Sequence, residues 1–335
     1  MTMKFGTFHL MERPLWKSEV QVVMEHLDQI RLADEVGFES VWLTEHHFSS
    51  IPYVPEVPGE YGISTSPLAL ACAVSQVTRR VRIGTAVKIL ALEHPLRTAE
   101  DVALADILSL GRIDFGVGLG YRKYEFEGLG IPIAEKLGRF QESLEIMVGA
   151  WTNEEFTYEG RFYQVPRLTL MPRPYQKPHP PIWVASRLGT KETIDFAVKN
   201  RYRLLSAWAP PDELRATRQM FEEARAGQGM AGVDFDFPCI RHVFVGETDA
   251  EARREAEEAV EYYMKSTALF RPIGAHERDE MIFGGPDTCI AKIQKLSRDA
   301  GVNYMLCWMN FGGMPQEKVL RSMRLFAHKV VPHFR

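Results

Sequence analysis

The chain has 335 residues, of which 45% are hydrophobic and 25% charged, and its formal net charge at pH 7 is -4. This composition is that of an ordinary globular protein, and it excludes a disordered or collagen-like chain. With 40 basic against 44 acidic residues, the chain has no global positive field, so we expect neither nucleic acid nor an anionic membrane surface as a partner. The length suits two medium-sized domains or one large α/β domain.

The cysteines and the apolar runs indicate the compartment. Cys72, Cys239, Cys289 and Cys307 form no C-x-x-C pair, and each lies in an apolar or periodic stretch, which predicts buried thiols rather than disulfides or metal ligands. The N-terminus lacks the charged and apolar regions of a secretion signal. The apolar run 68–74 is far shorter than the roughly 18 residues of a membrane span. We therefore predict a cytoplasmic protein.

Short β-branched or aromatic runs alternate with amphipathic helical stretches along the whole chain. This alternation is typical of consecutive βα units around a parallel sheet. We predict one (β/α)8 TIM barrel domain over residues 1–335, with a doubly wound open sheet as the alternative. The predicted strands are 4–8, 40–44, 82–87, 112–117, 182–185, 203–207, 240–245 and 303–308. The predicted helices are 18–36, 67–78, 97–110, 138–151, 190–199, 211–226, 249–265, 286–300 and 315–329.

Four segments between these elements are too long to be plain connections. Most of them follow the C-terminal end of a strand or the element after one, so we predict long insertions at the C-terminal rim, where barrel enzymes build their sites. Segment 152–181 contains a predicted hairpin around Glu159-Gly160, and segment 266–285 is predicted to be a mobile lid. The four segments are 48–66, 118–137, 152–181 and 266–285.

Glu45-His46-His47 follows the predicted strand 40–44 and is the first candidate for chemistry. Adjacent side chains on an extended segment point to opposite sides, so one histidine can face the barrel mouth while the other packs outward. An imidazole titrates near neutral pH, which suits proton transfer at the mouth. The alternative is a hydrogen-bonded structural pair. No further His or Cys stands nearby at ligand spacing, so we predict no metal site.

Two further segments are candidates for a binding site. Gly116-Val117-Gly118-Leu119-Gly120 ends a predicted strand, where glycines let a flat ring or a phosphate approach the backbone, or simply form a tight turn. Ala185-Ser186-Arg187-Leu188-Gly189-Thr190 combines a hydroxyl, a guanidinium and a helix N-terminus, which suits a phosphate, although Thr190 can equally be only an N-cap. No Ser-His-Asp elbow, Walker loop or H-E-x-x-H motif occurs, so a hydrolase or a kinase has no support.

Together these segments resemble the motifs of the bacterial luciferase-like family of flavin-dependent oxidoreductases. The matches extend in the same order from residue 3 to about residue 330. They are Lys4-Phe5-Gly6-Thr7-Phe8, Val41-Trp42-Leu43-Thr44-Glu45-His46-His47-Phe48, Gly84-Thr85-Ala86 with His94-Pro95-Leu96-Arg97, Gly111-Arg112 through Gly120, Pro181-Ile182-Trp183-Val184-Ala185-Ser186, and Ser206-Ala207-Trp208.

The resemblance implies a barrel that holds reduced FMN near the C-terminal rim and reacts with oxygen. It places the catalytic histidine at His46 with the acidic Glu45 beside it, and a non-proline cis peptide near Ala86-Val87. It also implies a phosphate loop after the predicted strand 182–185 and a tryptophan beneath the flavin. The implied flavin-binding residues are Thr85, Ala86, Val87, Gly118, Arg122, Arg139, Ala185, Ser186, Arg187, Thr190, Ser206 and Trp208.

The sequence departs from luciferase in two places. Where luciferase has a reactive cysteine followed by a phosphate-binding arginine, this chain has Gly118-Leu119. Arg187, Arg122 and Arg139 are then the candidates for neutralising the phosphate. The aldehyde pocket of luciferase has no residue-by-residue match, so neither long-chain aldehyde nor light emission is carried over.

The resemblance favours a monooxygenase that takes FMNH2 from a separate NAD(P)H:flavin reductase and oxygenates a small organic substrate with O2. One alternative is a deazaflavin-dependent hydride-transfer oxidoreductase on the same barrel, and another is a non-catalytic flavin-binding subunit. The predicted helices 67–78 and 97–110 carry small and apolar residues on several faces. Since helices of this kind form the dimer interface of luciferase-like proteins, we predict a homodimer.

Overall fold

The computed structural model describes residues 2–52, 59–60, 62–186, 190–268 and 278–335. Its centre is a parallel β-sheet whose strands alternate with helices along the chain. Across the sheet the strands follow the order β6-β5-β4-β3-β2-β1-β8-β7 when they are numbered along the chain. They are β1 (Lys4–His9), β2 (Ser40–Leu43), β3 (Arg82–Thr85), β4 (Ile113–Gly118), β5 (Ile182–Ser186), β6 (Arg203–Ser206), β7 (Pro238–Val245) and β8 (Tyr304–Trp308).

Contacts between aromatic rings show that this sheet curls around an interior. Trp42 in β2 and Trp183 in β5 belong to strands separated by two others, yet their ring centroids lie 5.4 Å apart. Tyr304 in β8 contacts both rings, at 6.5 Å from Trp42 and 6.3 Å from Trp183. Neighbouring strands of a sheet are about 4.8 Å apart, so a flat sheet would keep these rings much further from one another. The fold is therefore α/β with a curled parallel sheet, as predicted.

Each predicted helix is present, with its ends shifted by a few residues at most. Local capping explains several ends: Ser18 accepts the Gln21 N–H before the first helix, and Gly37 ends that helix in a left-handed conformation. The predicted helix 315–329 is α-helical only as far as Leu325. The chain then continues as two short helices of other types, Phe326–Val330 and Val331–Phe334. The helices are Glu19–Val36, Pro67–Val77, Pro95–Leu108, Lys136–Thr152, Lys191–Lys199, Pro211–Gly227, Asp249–Ala268, Pro286–Ala300 and Gln316–Leu325.

All four long segments contain regular structure. In segment 48–66, Gly59–Glu60 pairs antiparallel with Arg13–Pro14. The segment after β4 forms the short helix Lys123–Gly128, and the predicted hairpin is confirmed as the antiparallel pair Phe156–Glu159 and Gln164–Leu168. In segment 266–285, the helix extends to Ala268 and Ile282–Gly284 pairs with β7, so its last part is ordered sheet rather than lid. Residues 269–277 of the predicted lid lie outside the described residues.

Two observations bear on the expected thiols and on membrane-spanning segments. Cys239, Cys289 and Cys307 are buried and Cys72 is half-buried, and all four are free thiols. In the described part of the chain, no helix has both the length and the apolar character needed to cross a membrane.

The glycines of the G-x-G-x-G segment meet the neighbouring strand. A Cβ on Gly116 would lie 1.9 Å from the carbonyl oxygen of Thr85, and one on Gly118 would lie 2.5 Å from Val87 Cγ2. Gly120 adopts a φ of 70°, which disfavours a side chain for a different reason. The close approach of β3 and the residues after it to β4 thus accounts for Gly116 and Gly118 without any ligand.

Substituting Gly116→Ala should destabilise the protein by at least about 2 kcal/mol, because the added methyl group overlaps a backbone atom that no rotamer change can move. The matched control is Gly227→Ala at the end of helix Pro211–Gly227, where an added Cβ meets nothing within 4 Å. We expect the control to stay within about 1 kcal/mol of the original stability. Urea unfolding measures both variants, and equal midpoints would contradict the steric explanation.

Candidate active site

His46 and His47 stand where β2 ends, and their side chains meet two different carboxylates. His46 Nδ1 lies 3.1 Å from Glu125 Oε1, whereas His47 Nε2 lies 2.9 Å from Glu45 Oε1. The two rings therefore point to opposite sides of the segment, as the extended backbone predicts. His46 belongs to the group of buried polar side chains, with 8% of its surface exposed.

Glu45 is the centre of a buried group of charges. Its Oε1 accepts a hydrogen bond from Lys88 Nζ at 2.7 Å, and its Oε2 accepts one from the backbone N–H of Ile89 at 2.6 Å. Lys88 also reaches Glu93 at 3.0 Å. Burial lowers the pKa of Lys88, but the charges of the two carboxylates outweigh burial and the net shift is upward. Glu45 thus fastens the segment after β3 to the end of β2, and its histidine hydrogen bond is with His47.

Sequence reasoning assigned Glu125 no role, and the structure brings it to His46. It lies in the helix Lys123–Gly128, 79 residues further along the chain, and it is 1% exposed. Besides facing His46, its Oε1 accepts the backbone N–H of His47 at 3.1 Å. Burial raises the pKa of Glu125, but the hydrogen bonds with His46 and with the backbone N–H of His47, together with the charge of Arg122, outweigh it, so the net shift is downward. No local pattern in the sequence could have identified this partner.

Arg122 and Tyr121 complete the surroundings of His46. The Arg122 side chain is buried, donates to the Tyr124 hydroxyl at 2.8 Å, and lies 4.0 Å from Glu125. Tyr121 is 64% exposed, and its ring centroid lies 6.3 Å from that of His46. Burial first, and then the positive charge of Arg122, lowers the pKa of His46 to about 4, although Glu125 and Glu45 act in the opposite direction. His46 is therefore a neutral imidazole at pH 7.

The implied flavin platform adjoins this cluster. The peptide between Ala86 and Val87 is cis, as the resemblance predicts. The Ala86 N–H donates to the carbonyl of Leu43 at the end of β2, at 2.7 Å. The Thr85 hydroxyl donates to the Gly116 carbonyl at 2.6 Å, so this side chain joins β3 to β4. These bonds place the 85–87 segment directly beside the residues that carry Glu45 and His46.

The residues proposed for the phosphate are divided among several surroundings. Ser186 is buried at the end of β5, and Thr190 caps the helix Lys191–Lys199 by accepting the Thr193 N–H at 3.3 Å. Arg187 lies outside the described residues. Arg139 forms an ion pair with Glu135, with nitrogen–oxygen distances of 2.8 and 2.9 Å. The N-cap function of Thr190 is confirmed, and the phosphate roles of these residues stay predictions.

Ser206 is the last residue of β6, and Trp208 lies two positions further along the chain. Ser206 pairs in register with Ser186, and Ala185 pairs with Leu205 on the same two strands. The guanidinium of Arg241 lies 5.6 Å from the ring centroid of Trp208. Arg241 is fully buried and donates to the carbonyl of Ala209 at 2.8 Å. Sequence reasoning did not identify Arg241, because a single arginine in a buried strand carries no motif.

Two buried hydroxyl groups test whether a polar ring ligand fits here. Among the residues that the structure describes, Ser64 Oγ and Ser206 Oγ are buried and have no hydrogen-bond partner. Ser64 belongs to the His46 surroundings, because its carbonyl accepts the His46 N–H at 2.8 Å. A buried hydroxyl without a partner costs about 1–3 kcal/mol, and the carbonyl and N–H groups of a flavin ring can supply partners. The residues present therefore fit a flavin.

Two other features of the structure lie apart from this cluster. In the described ranges, no group of three or more His, Cys, Asp or Glu side chains is arranged to hold a metal ion. A cavity of about 1030 Å³ opens beside the N-terminal ends of β1, β6 and β8, where Lys4, Arg203 and Asn303 line it. Because parallel strands all end at the opposite edge, this cavity is at the far end of the sheet from His46.

The sequence profile of the luciferase-like monooxygenase family matches residues 3–304. The chain belongs to this family. It is 26% identical to the oxygenase component of the flavin-dependent trigonelline monooxygenase of Acinetobacter baylyi, over 80% of this chain and 72% of that protein. It is 23% identical to the alkanal monooxygenase alpha chain of Photorhabdus laumondii, over 98% of this chain and 97% of that one.

Solved structures with the same fold include enzymes of two kinds. Monooxygenase RslO1 from Streptomyces bottropensis superposes with a TM-score of 0.89 at 29% identity, over 99% of this chain and 100% of that one. The oxygenating constituent of 3,6-diketocamphane monooxygenase from Pseudomonas putida, in complex with FMN, gives 0.85 at 22% identity, over 100% and 99%. An F420-dependent secondary alcohol dehydrogenase gives 0.78 at 19% identity, over 100% of each chain. The last two show the fold alone. Flavin-dependent oxidoreductase is thus the class of protein defined by family and fold.

The imidazole of His46 should titrate with a pKa of about 4, against an ordinary value of 6.5. Arg122→Gln should raise this pKa, because it removes a positive charge that opposes protonation. The matched control is Lys123→Gln, whose charge is exposed and paired with Glu127, and it should leave the pKa unchanged. NMR titration of histidine-labelled protein gives all three values, and a His46 pKa near 6.5 would contradict the description.

The same shift has a consequence for stability. The unfolded chain takes up a proton at His46 as the pH falls through 6.5, but the folded protein does so only at about 4. The contribution of His46 to the free energy of unfolding is therefore complete above pH 6.5. It decreases as the pH falls from 6.5 to about 4, by at most about 1.4 kcal/mol per pH unit.

Proposed function

We propose that this protein is the oxygenase component of a two-component, FMN-dependent monooxygenase. It takes reduced FMN from a separate NAD(P)H:flavin reductase and uses O2 to oxygenate a small organic substrate. The observation that carries this proposal is the neutral imidazole of His46, backed by Glu125 and adjoining the Ala86–Val87 peptide, in a chain of the luciferase-like family. Oxygenase components among its relatives support the division of labour between two proteins.

The proposed flavin site lies at the C-terminal ends of β2 to β6. In this proposal the ring lies against the 85–87 segment, Arg122 and the segment after β5 serve the phosphate, and Ser206 and Trp208 form the far wall. We also take the curled sheet to be a closed (β/α)8 barrel forming one domain with insertions at this rim, which the contact between β6 and β7 supports. The proposed flavin-binding residues are Thr85, Ala86, Val87, Gly118, Arg122, Arg139, Ala185, Ser186, Arg187, Thr190, Ser206 and Trp208.

Reduced FMN, when bound, supplies the electrons that activate O2. The chain itself must then bind the ring, place the substrate and move protons. A neutral His46 whose Nδ1 faces a carboxylate is able to accept a proton at Nε2 and return it, which is the behaviour of a general base and acid. Glu45 assists by holding His47 and the 88–89 segment in place.

The alternative is hydride transfer with a deazaflavin, and it draws its support from the fold shared with the F420-dependent alcohol dehydrogenase. A deazaflavin with a long polyanionic tail needs a basic track on the protein surface. The rim instead mixes signs, with Glu125 and Glu127 beside Arg122 and Lys123, and this mixture suits a single phosphate better. A non-catalytic subunit is disfavoured by the presence of His46.

The second subunit in our proposal is another copy of this chain. Helix Pro95–Leu108 and the residues after it expose large apolar side chains, which are 46% exposed at Leu104, 41% at Leu108 and 74% at Leu110. A cluster of exposed apolar residues on one helix marks an association surface. We therefore propose a homodimer through the helices Pro67–Val77 and Pro95–Leu108.

Purified protein supplied with FMN, NADPH and an external flavin reductase should consume oxygen in a substrate-dependent manner, and NADPH alone should give little activity. His46→Ala should keep the fold and the affinity for FMN but lower turnover about 100-fold or more, as loss of a positioned proton-transfer group does. His47→Ala is the matched control. We expect it to have the smaller effect, because the His47 ring contacts Glu45 rather than Glu125.

Two outcomes would overturn the assignment. Tight deazaflavin binding with hydride transfer insensitive to oxygen would replace the monooxygenase by the alternative. Normal turnover of His46→Ala would remove that residue from the chemistry.

The dimer proposal is tested by light scattering at micromolar concentration. The original chain should give twice the mass of 38.2 kDa, and Leu108→Glu should shift the particles towards the monomer, because a charge would be buried at the interface. Lys199→Glu, on a different helix, is the control and should remain dimeric. A 38.2 kDa particle for the original chain would reject the dimer.

A further inference from the structure

We propose that Glu125 is a positioning residue that holds His46 in a single tautomer, with the proton on Nδ1 and the lone pair on Nε2. Its effect on turnover rests on the proposed function, but the tautomer itself does not. Neither the motifs around β2 nor the comparisons assign this residue a role.

The first step of the argument is geometric. Glu125 Oε1 lies 3.1 Å from His46 Nδ1 and 3.1 Å from the backbone nitrogen of His47, so one oxygen holds both the ring and the peptide beside it. The ring cannot turn about its Cβ–Cγ bond without losing this contact. In addition, His46 Cδ2 lies 2.8 Å from the position that a Cβ on Gly62 would occupy, so a second segment closes in on the ring edge.

The second step concerns the proton. An ionised carboxylate only accepts hydrogen bonds, so the nitrogen that faces Glu125 must carry the hydrogen. Glu125 is ionised because the positive guanidinium of Arg122 lies 4.0 Å away and the backbone N–H of His47 donates to its oxygen. In the neutral imidazole the lone pair then resides on Nε2, on the opposite edge of the ring from Glu125.

The third step excludes the other carboxylate near the histidines. Glu45 is adjacent to His46 in sequence, but its two oxygens are used by His47, Lys88 and the backbone of Ile89. The two histidines therefore have different carboxylates as hydrogen-bond partners, Glu125 for His46 and Glu45 for His47. Removing the carboxylate that orients a metal-binding histidine typically costs about 10- to 100-fold in affinity or activity, and we expect an effect of this size for His46.

Glu125→Gln should lower kcat about 10- to 100-fold and leave KM and the affinity for FMN within about twofold, because the ring loses its orientation and tautomer but the binding surfaces remain. The matched control is Glu127→Gln on the same helix, since Glu127 is exposed and pairs with Lys123. It should stay within about twofold of the original chain in every constant. Equal kinetics of the two variants would overturn the proposal.

A second measurement needs no flavin to bind and no turnover. Nitrogen NMR of histidine-labelled protein at pH 7 distinguishes the two tautomers, and the His46 signal is assigned by its disappearance in His46→Gln. The original chain should show the Nδ1–H form, and Glu125→Gln should show a mixture, because an amide can also donate to Nδ1. An Nε2–H form in the original chain would overturn the proposal. If the protein lacked oxygenase activity, the function would fail while this result stood.

Discussion

The ion pair between Lys88 and Glu45 is the interaction on which the site depends. Its two charged groups lie 2.7 Å apart, with side chains only 2% and 0% exposed. Burying both charges is costly unless every oxygen and nitrogen is used, and here His47, Ile89 and Glu93 use the remaining positions. Removing one partner would leave a buried charge, which typically costs about 3–5 kcal/mol. The pair thus ties the residues after β3 firmly to the end of β2.

This tie has consequences for both histidines. Glu45 forms its hydrogen bonds with Lys88 and His47, and His46 contacts Glu125 instead. Glu125 and the nearby Arg122 then act in opposite directions on the pKa of His46. The guanidinium favours the neutral ring and the carboxylate favours the charged ring, and burial decides the balance towards neutral. A buried imidazole that is neutral at pH 7 is suited to accept a proton, whereas one with an ordinary pKa would be partly protonated.

The approach of β3 and the residues after it to β4 is the second constraint. The Thr85 carbonyl and the Val87 side chain occupy the space that side chains on Gly116 and Gly118 would fill. The glycines thus serve the packing of two backbones, and whatever room they leave for a ring is a by-product of that packing. The G-x-G-x-G segment suggested contact with a ligand, but the packing of neighbouring backbones explains Gly116 and Gly118.

Much of the architecture follows from local sequence patterns. Short β-branched or aromatic runs and amphipathic helical stretches identified the eight strands and the helices around them, and the capping residues Ser18 and Ser66 explain where two helices begin. The opposite orientation of His46 and His47 was also predictable, because it depends only on the extended backbone between neighbours. The resemblance to luciferase-like proteins correctly predicted the cis peptide at Ala86–Val87.

The sequence itself determined which residues form strands and helices, since those patterns repeat within a few neighbouring positions. The contacts of the site were decided by the tertiary structure alone. Only the folded chain decided that Glu125 meets His46 across 79 positions and that Lys88 meets Glu45 across 43. The physical reason is that a buried charge is stabilised by whichever opposite charge the curling sheet brings within reach, and the curl joins strand ends that are distant along the chain.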